Sequence, residues 1–376
     1  IRSLLLEIKI LLTRINCQKM LPQNIKPYII FIYKKLYRGG NTKMKKFVSI
    51  LLTVVMAMGL VACSSNSSTG SSSQQESSNS SSDKKYTVGI CQLVQHEALD
   101  AATKGFKDEL NKELGEGTVT FDEQNAQGDS ATCSTIINGF VSNNVDLILA
   151  NATPALQAAQ AGTSEIPVLG TSVTEYGVAL GIKDFDGLVG NNISGTSDLA
   201  PLDQQAAMLK ELFPDKKKVG LVYCTAEANS QYQVDTVKKE LEKLGYTCKL
   251  YGFSDSNDLS SVGKTAADES DVIYVPTDNT VASNASILDN ICRPAKVPVI
   301  AGEEGVCSKC GVATLSINYY DLGVATGKMA AKILTGESKV EEMKIEYAPK
   351  FTKKYNKDIC KDLGVEIPDD YVAIEK

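Results

Sequence analysis

From residue 86 onward, short and nearly continuous apolar runs alternate with longer stretches whose apolar positions recur every three or four residues. The first pattern predicts strands buried on both faces, and the second predicts amphipathic helices laid against them. Residues 86–91 form the first expected strand, and after it Leu99, Ala102, Phe106 and Leu110 share one helical face. Further strands are expected at 118–121, 145–150 and 166–169, with helices at 131–141 and 155–161. The pattern then restarts with a helix at 199–212, a strand at 218–224, a helix at 230–244 and strands at 247–251, 272–275 and 297–301, with helices between. A late strand at 313–317 leads into an amphipathic helix at 319–334. Residues 340–376 are only weakly periodic and are expected to pack on the surface.

Two βα series of similar length predict an α/β protein of two Rossmann-like lobes, each with a parallel sheet, joined by crossover strands. The expected division is 84–190 plus 303–338 for the N-terminal lobe and 191–302 plus 339–376 for the C-terminal lobe. Such a chain has one natural ligand crevice, at the carboxyl ends of the strands where the lobes face each other. The segments that follow the expected strands, 92–96, 151–154, 171–174, 225–230, 277–280 and 302–304, are short, polar, and uncharged or acidic.

The N-terminal region has a different character. Met44 is followed by Lys45, Lys46, an apolar run over 47–62 and then Cys63, which is the order of a secretory signal too short to span a bilayer comfortably. Residues 60–63 (LVAC) resemble the bacterial lipobox, in which the cysteine is lipidated and becomes the first mature residue. Between 64 and 82 almost every residue is Ser, Asn, Gln, Thr or Gly, a flexible tether with a reach on the order of 25 Å. The chain is therefore expected on the extracellular face of the cytoplasmic membrane, anchored by lipid at Cys63. Residues 1–43 are rich in Lys and Arg without a sustained period, and are expected to be upstream sequence rather than part of the fold.

Charge and composition narrow the function. A net charge of -6 leaves no basic footprint for nucleic acid. The single histidine, His96, makes zinc sites and Ser-His or Cys-His nucleophilic machinery hard to build. No Gly-rich phosphate loop follows the first strand, where residues 91–94 read CQLV. These features argue against an enzyme. Eight cysteines fall in the folded part; Cys91, Cys224 and Cys248 lie in expected strands as small buried thiols, and Cys307 with Cys310 forms either a local disulfide or two free thiols. One such pair is weak evidence for zinc, so no metal or cofactor is expected.

Residues 92–100 (QLVQHEALD), 151–154 (NATP), 227–231 (EANSQ), 274–281 (YVPTDNTV), 302–305 (GEEG) and 318–323 (NYYDLG) resemble a family of ABC-transporter substrate-binding lipoproteins, of which the better-known members bind aromatic amino acids. The resemblance covers the chain from Tyr86 to its C-terminus. It implies a type I periplasmic-binding-protein fold that closes on its ligand, an ABC permease as partner, and a monomer. A surface receptor feeding a sensor kinase or chemoreceptor would use the same cleft and is the alternative.

An amino-acid ligand needs donors for its carboxylate, acceptors for its ammonium and a shaped pocket for its side chain. Asn229 and Ser230, and likewise Thr153 and Pro154, open helices, where they either present amides to a carboxylate or cap the helix. Asp278 with Asn279, and Glu303 with Glu304, are the ammonium candidates; Asp278 is favoured, with capping of the helix from Thr280 as its bland role. Ser172 and Thr174 are expected to hydrogen-bond the ligand, and Asp198 to act from the crossover. Gln92 and His96 sit on the first loop, His96 as a structural or rim residue. Tyr176, Tyr232 and Tyr319 are either walls for an aromatic ring or packed side chains.

Overall fold

The computed structural model describes residues 84–375, so the expected upstream segment, signal, Cys63 and tether lie outside the described residues. The chain first lays down β1 (Tyr86–Gln92), α1 (Glu97–Leu114), β2 (Val119–Asn125), α2 (Ser130–Ser142), β3 (Leu147–Asn151), α3 (Thr153–Gly162), β4 (Val168–Val173), α4 (Tyr176–Leu180) and β5 (Ile193–Ser197). It then crosses to a second series: α5 (Leu202–Leu212), β6 (Lys218–Cys224), α6 (Ala228–Lys243), β7 (Thr247–Phe253), α7 (Ser256–Glu269), β8 (Val272–Val275), α8 (Asn279–Cys292), β9 (Val299–Ala301), α9 (Glu304–Cys310) and β10 (Ala313–Ser316). Helix α10 (Tyr319–Thr335) returns to the first lobe, where β11 (Glu346–Tyr347) joins β5. The chain crosses back a last time to β12 (Thr352–Tyr355), α11 (Lys357–Leu363) and β13 (Val372–Ala373). The sheet orders are β11-β5-β4-β3-β1-β2 and β13-β12-β10-β9-β8-β6-β7, parallel except where β12 runs against β10.

The lobe boundaries differ from those expected. β5 pairs with β4, so the first crossing follows Ser197 instead of residue 190. β10 pairs with β9, so α9 and β10 stay in the second lobe and the next crossing falls between Ser316 and Tyr319 instead of at 302. The third lies between β11 and β12 instead of at 338. β5 reads ISGTS and carries no apolar run. Its place is fixed by hydrogen bonds among Thr171, Thr196 and Thr326, whose hydroxyls lie 2.8 to 3.2 Å apart and tie β4, β5 and α10 together. The tail is also more than a surface segment, because Ile359, Cys360 and Tyr371 enter the core of the second lobe.

Helices α1 and α10 cross at backbone distance. A methyl carbon on Gly105 would lie 2.1 Å from Tyr320 O, and one on Gly323 would lie 2.0 Å from Ala102 O, so only hydrogen fits. The crossing matters to the cleft because α1 carries Leu99 and is preceded by His96, while α10 begins at Tyr319. Gly323→Ala is expected to destabilise the protein by about 1–3 kcal/mol through overpacking. On the exposed face of α2, Gly139→Ala meets nothing within 4 Å and should be neutral or stabilising by up to about 1 kcal/mol. Urea denaturation of both variants checks the contrast, and equal effects would remove the crossing as the cause.

Candidate functional site

Loops leaving the carboxyl ends of β1, β4, β5, β6, β8 and β9 meet in one buried cavity between the lobes. Its lining combines His96, Ser172, Thr174, Asp198 and Tyr319 on the first-lobe side with Asn229, Asp278, Asn279 and Glu303 on the second, and Leu99 and Ala282 supply apolar wall. Its free volume is about 10 Å³, room for about one water, and His96 Nε2 reaches Asn279 Oδ1 across it at 3.1 Å. The lobes are thus shut. A wider groove of about 950 Å³ runs alongside and shares Glu303 and Tyr319 with the cavity. There Glu304 is paired with Lys354 and Glu97 with Lys309, so its open surface makes a weaker case for a site.

The second-lobe side is built from helix starts capped by carboxylates. Asp278 accepts from Cys224 N at 2.7 Å and from Val281 N at 2.9 Å, capping α8 and tying it to β6. Glu303 accepts from Gly305 N at 2.6 Å and from the Val306 amide, capping α9. Glu227, at the start of α6, accepts from the backbone and side-chain nitrogens of Asn279 and from the amide and hydroxyl of Thr280, at 2.7 to 3.1 Å. All three carboxylates are buried, and among the described residues no Lys or Arg lines the cavity. Burial pushes the Glu303 carboxyl up to about 7. Asp278 is raised by burial and then by the Glu227 charge.

Asp198, at the end of β5, is different. Its Oδ2 accepts from Tyr319 Oη at 3.0 Å, whereas Oδ1 is buried without a hydrogen-bond partner. Burial raises its carboxyl to about 6, against the opposing pull of Thr174 and Tyr319. Three other lining atoms are buried and unpartnered: Ser172 Oγ, Asn229 Oδ1 and His96 Nδ1. Buried polar groups are ordinarily satisfied, so four such atoms around one cavity mark where a polar ligand belongs. Ser172 also holds φ at 54°, and Ala152 at the end of β3 holds 98°, backbone values that non-glycine residues adopt only under constraint.

Of the residues singled out from sequence, Ser172, Thr174, Asp198, Asn229, Asp278, Asn279 and Glu303 come together in this cavity. Gln92 does not: its amide is spent on Val94 O, Asp100 and Thr103. Thr153 is buried outside the lining, and Pro154 faces a neighbouring groove. Ser230 lies behind the wall against Asp278, and Glu304 turns to Lys354. Tyr319 reaches the cavity, while Tyr176 is core and bonds to Thr196 O, and Tyr232 packs on the second-lobe core. Glu227 was not singled out: it precedes α6 without capping it, and the Asn279 and Thr280 that it holds lie 52 and 53 residues further on, a pairing with no local signal. Cys307 and Cys310 are buried free thiols; Cys248 is half-buried, because β7 is an edge strand.

Residues 87–375 match the family model described as ABC transporter substrate binding protein. A tyrosine-binding protein of Clostridioides difficile is 36% identical over 299 residues, covering 79% of this chain and 86% of that one. A Streptococcus pneumonia ABC domain in complex with L-Trp superposes with a TM-score of 0.73 at 32% identity, over 76% of this chain and 96% of that one. A ligand-free, open substrate-binding protein with adhesive properties from Clostridium difficile is 40% identical over 77% of this chain and 99% of that one, yet its TM-score is 0.60. The better fit to the less similar sequence agrees with the shut lobes seen here. A 5-methylthioribose transporter solute binding protein from Thermotoga lettingae, at 16% identity with a TM-score of 0.53 over 72% of this chain and 86% of that one, shares the fold alone. The architecture is that of a type I periplasmic-binding protein.

The raised carboxyls make stability depend on pH. Asp198 and Glu303 titrate in the folded protein at about 6 and about 7, above the ~4 of an unfolded chain. Between those values the folded state keeps protons that the unfolded chain has released. Their contribution is therefore complete below about pH 4 and is lost as pH rises through about 6 to 7. The urea midpoint of the ligand-free protein should fall from about pH 5 to about pH 8. A midpoint that climbs over this range would show that these acids are ionised and compensated in the fold.

Proposed function

The chain belongs to the ABC transporter substrate-binding protein family, and from that premise we propose that it captures an aromatic amino acid outside the cell and delivers it to an ABC permease. The observation that carries this is the acid-rich cavity without a cation, in which Asp198 Oδ1 and Asn229 Oδ1 lack partners. A ligand ammonium supplies the missing positive charge and the missing donors. Ser172 Oγ, on the same side as Asp198, donates to the ligand carboxylate. The cavity as it stands holds about one water, so the ligand enters with the lobes apart, and Leu99 and Ala282 then flank its side chain. The aromatic preference is supported by the relatives, one a tyrosine-binding protein and one solved with L-Trp.

Capture is a matter of populations. Asp198 and Ser172 belong to the first lobe and Asn229 to the second, so a ligand touching all three stabilises the shut state over the open one. The permease then recognises the shut pair of lobes, and no bond of the ligand is made or broken. No helix among the described residues is long and apolar enough to cross a membrane. Retention at the outer face of the membrane is assigned to a lipid on Cys63 followed by the Ser-rich tether at 64–82.

In calorimetric titrations of the purified protein, tyrosine, tryptophan or phenylalanine should bind, whereas aliphatic amino acids, sugars and nucleosides should not. Asp198→Asn should weaken binding by about 10- to 100-fold, as expected for losing a hydrogen bond to a charged group. Unchanged affinity in that variant would move the ammonium elsewhere. Expressed in a lipoprotein-processing bacterium, Cys63→Ser should appear in the medium while the unmodified chain fractionates with membranes. Equal membrane retention of both would overturn the anchor.

A further inference from the structure

His96, expected as a structural or rim residue, stands at the contact between the lobes. It is 7% exposed, it precedes α1 on the first lobe, and it faces Asn279 at the start of α8 on the second. Its protonation pattern follows from its neighbours. The Glu227 carboxylate can only accept, so the Asn279 side-chain nitrogen, 2.7 Å away, must donate to it. Asn279 Oδ1 is thereby turned toward His96 and must accept the hydrogen on Nε2, at 3.1 Å. Nδ1 is left as a bare acceptor, buried and without a partner. Burial depresses the imidazolium, with the Asn279 bond opposing, so the ring stays neutral in the shut protein.

The residues that line the cavity around His96 indicate what a buried, unpartnered Nδ1 would meet. Leu99 lies one turn beyond His96 on α1, and Ala282 one turn beyond Asn279 on α8, so the apolar walls adjoin the His96–Asn279 contact. On the first lobe Tyr319 hydrogen-bonds Asp198 at 3.0 Å, and Thr174 and Ser172 line the cavity from the end of β4, which makes a polar cluster of these four residues. The head group of the ligand belongs with that cluster, and its ring belongs between Leu99 and Ala282.

We infer that His96 Nδ1 accepts a hydrogen bond from a donor on the ligand's ring, a phenol O–H or an indole N–H, and so selects tyrosine or tryptophan against phenylalanine. The inference rests on the proposed aromatic amino-acid site. A pocket built to hydrogen-bond a ligand hydroxyl rejects the analogue that lacks it, because its own buried group is then left unpaired. Glu227 and Asn279 act as positioning residues, fixing the tautomer that makes Nδ1 an acceptor.

Calorimetric titration of the purified protein with tyrosine, tryptophan, phenylalanine and 4-fluorophenylalanine tests this without any mutation. Tyrosine or tryptophan should bind about tenfold or more tightly than the two ligands without a ring donor. In His96→Gln the amide can still donate to Asn279 but offers no acceptor at Nδ1. Tyrosine should then fall to the level of phenylalanine, whose own affinity holds within about twofold and reports that the variant is folded and closes. Equal binding of tyrosine and phenylalanine by the unmodified protein would overturn the role of His96 and leave the aromatic site standing. So would an equal loss for every ligand in His96→Gln, which would place Nδ1 on the ammonium. No binding of any aromatic amino acid would remove the ligand assignment and this inference together.

Discussion

The helices that open onto the cleft from the second lobe start inside the protein, where their first amides cannot find bulk water. Each buried amide needs an acceptor, and at α8 and α9 the acceptors are carboxylates, Asp278 and Glu303, with Glu227 adding a second brace at α8. A neutral cap would satisfy the same amides. Carboxylates do it more strongly and, when ionised, place negative charge beside a cavity that no Lys or Arg lines among the described residues. The charge preference of the site is therefore set by the scaffold as well as by the atoms that touch a ligand. On the proposed reading, a ligand ammonium neutralises a field that the caps have already created, and Asp198 supplies the contact through which it does so.

That arrangement works only if the two sides of the cleft are rigid and separately mobile. The first side owes its rigidity to contacts in which no side chain intervenes: α1 and α10 touch through Gly105 and Gly323, and a threonine triad pins α10 to β4 and β5. His96, Leu99 and Tyr319 are consequently held by one block. The chain passes between the lobes three times, at 197–202, 316–319 and 347–352, and these short connections are the places where backbone rotation can separate one block from the other.

The alternation of apolar runs and helical periods was enough to read two α/β lobes and to put polar loops at the strand ends, because buried parallel strands and their covering helices leave strong periodic signals. β5 escaped because its burial is secured by hydroxyl hydrogen bonds, which leave no hydrophobic pattern. With β5 went the lobe boundaries. At the cleft, sequence brings Asp198 and Asp278 to strand ends alike, and they differ in what their oxygens face. Both oxygens of Asp278 are spoken for by amides of Cys224 and Val281, one of them 54 residues distant. Asp198 keeps one oxygen free. The favoured ammonium acceptor changes for that reason, and a pairing over that distance has no local signature. His96 was read as a structural or rim residue and not as a ligand contact, because the Asn279 and Glu227 that orient it lie on the other lobe.

The contact between His96 and Asn279 joins recognition to closure. When the lobes part, His96 loses the partner that fixes its tautomer, and its ring is free to hydrate and to flip. On the proposed reading, an open first lobe holds an amino acid by Asp198 and Ser172, which see only the common head group. The ring is judged when α8 arrives and Asn279 commits Nδ1 to accept. Discrimination therefore belongs to the closing step, where a wrong side chain costs the shut state a buried, unpaired nitrogen and returns the lobes to the open form. A binding protein built this way samples many amino acids quickly and retains few, and its selectivity lies in how long the lobes stay shut more than in how fast the ligand arrives.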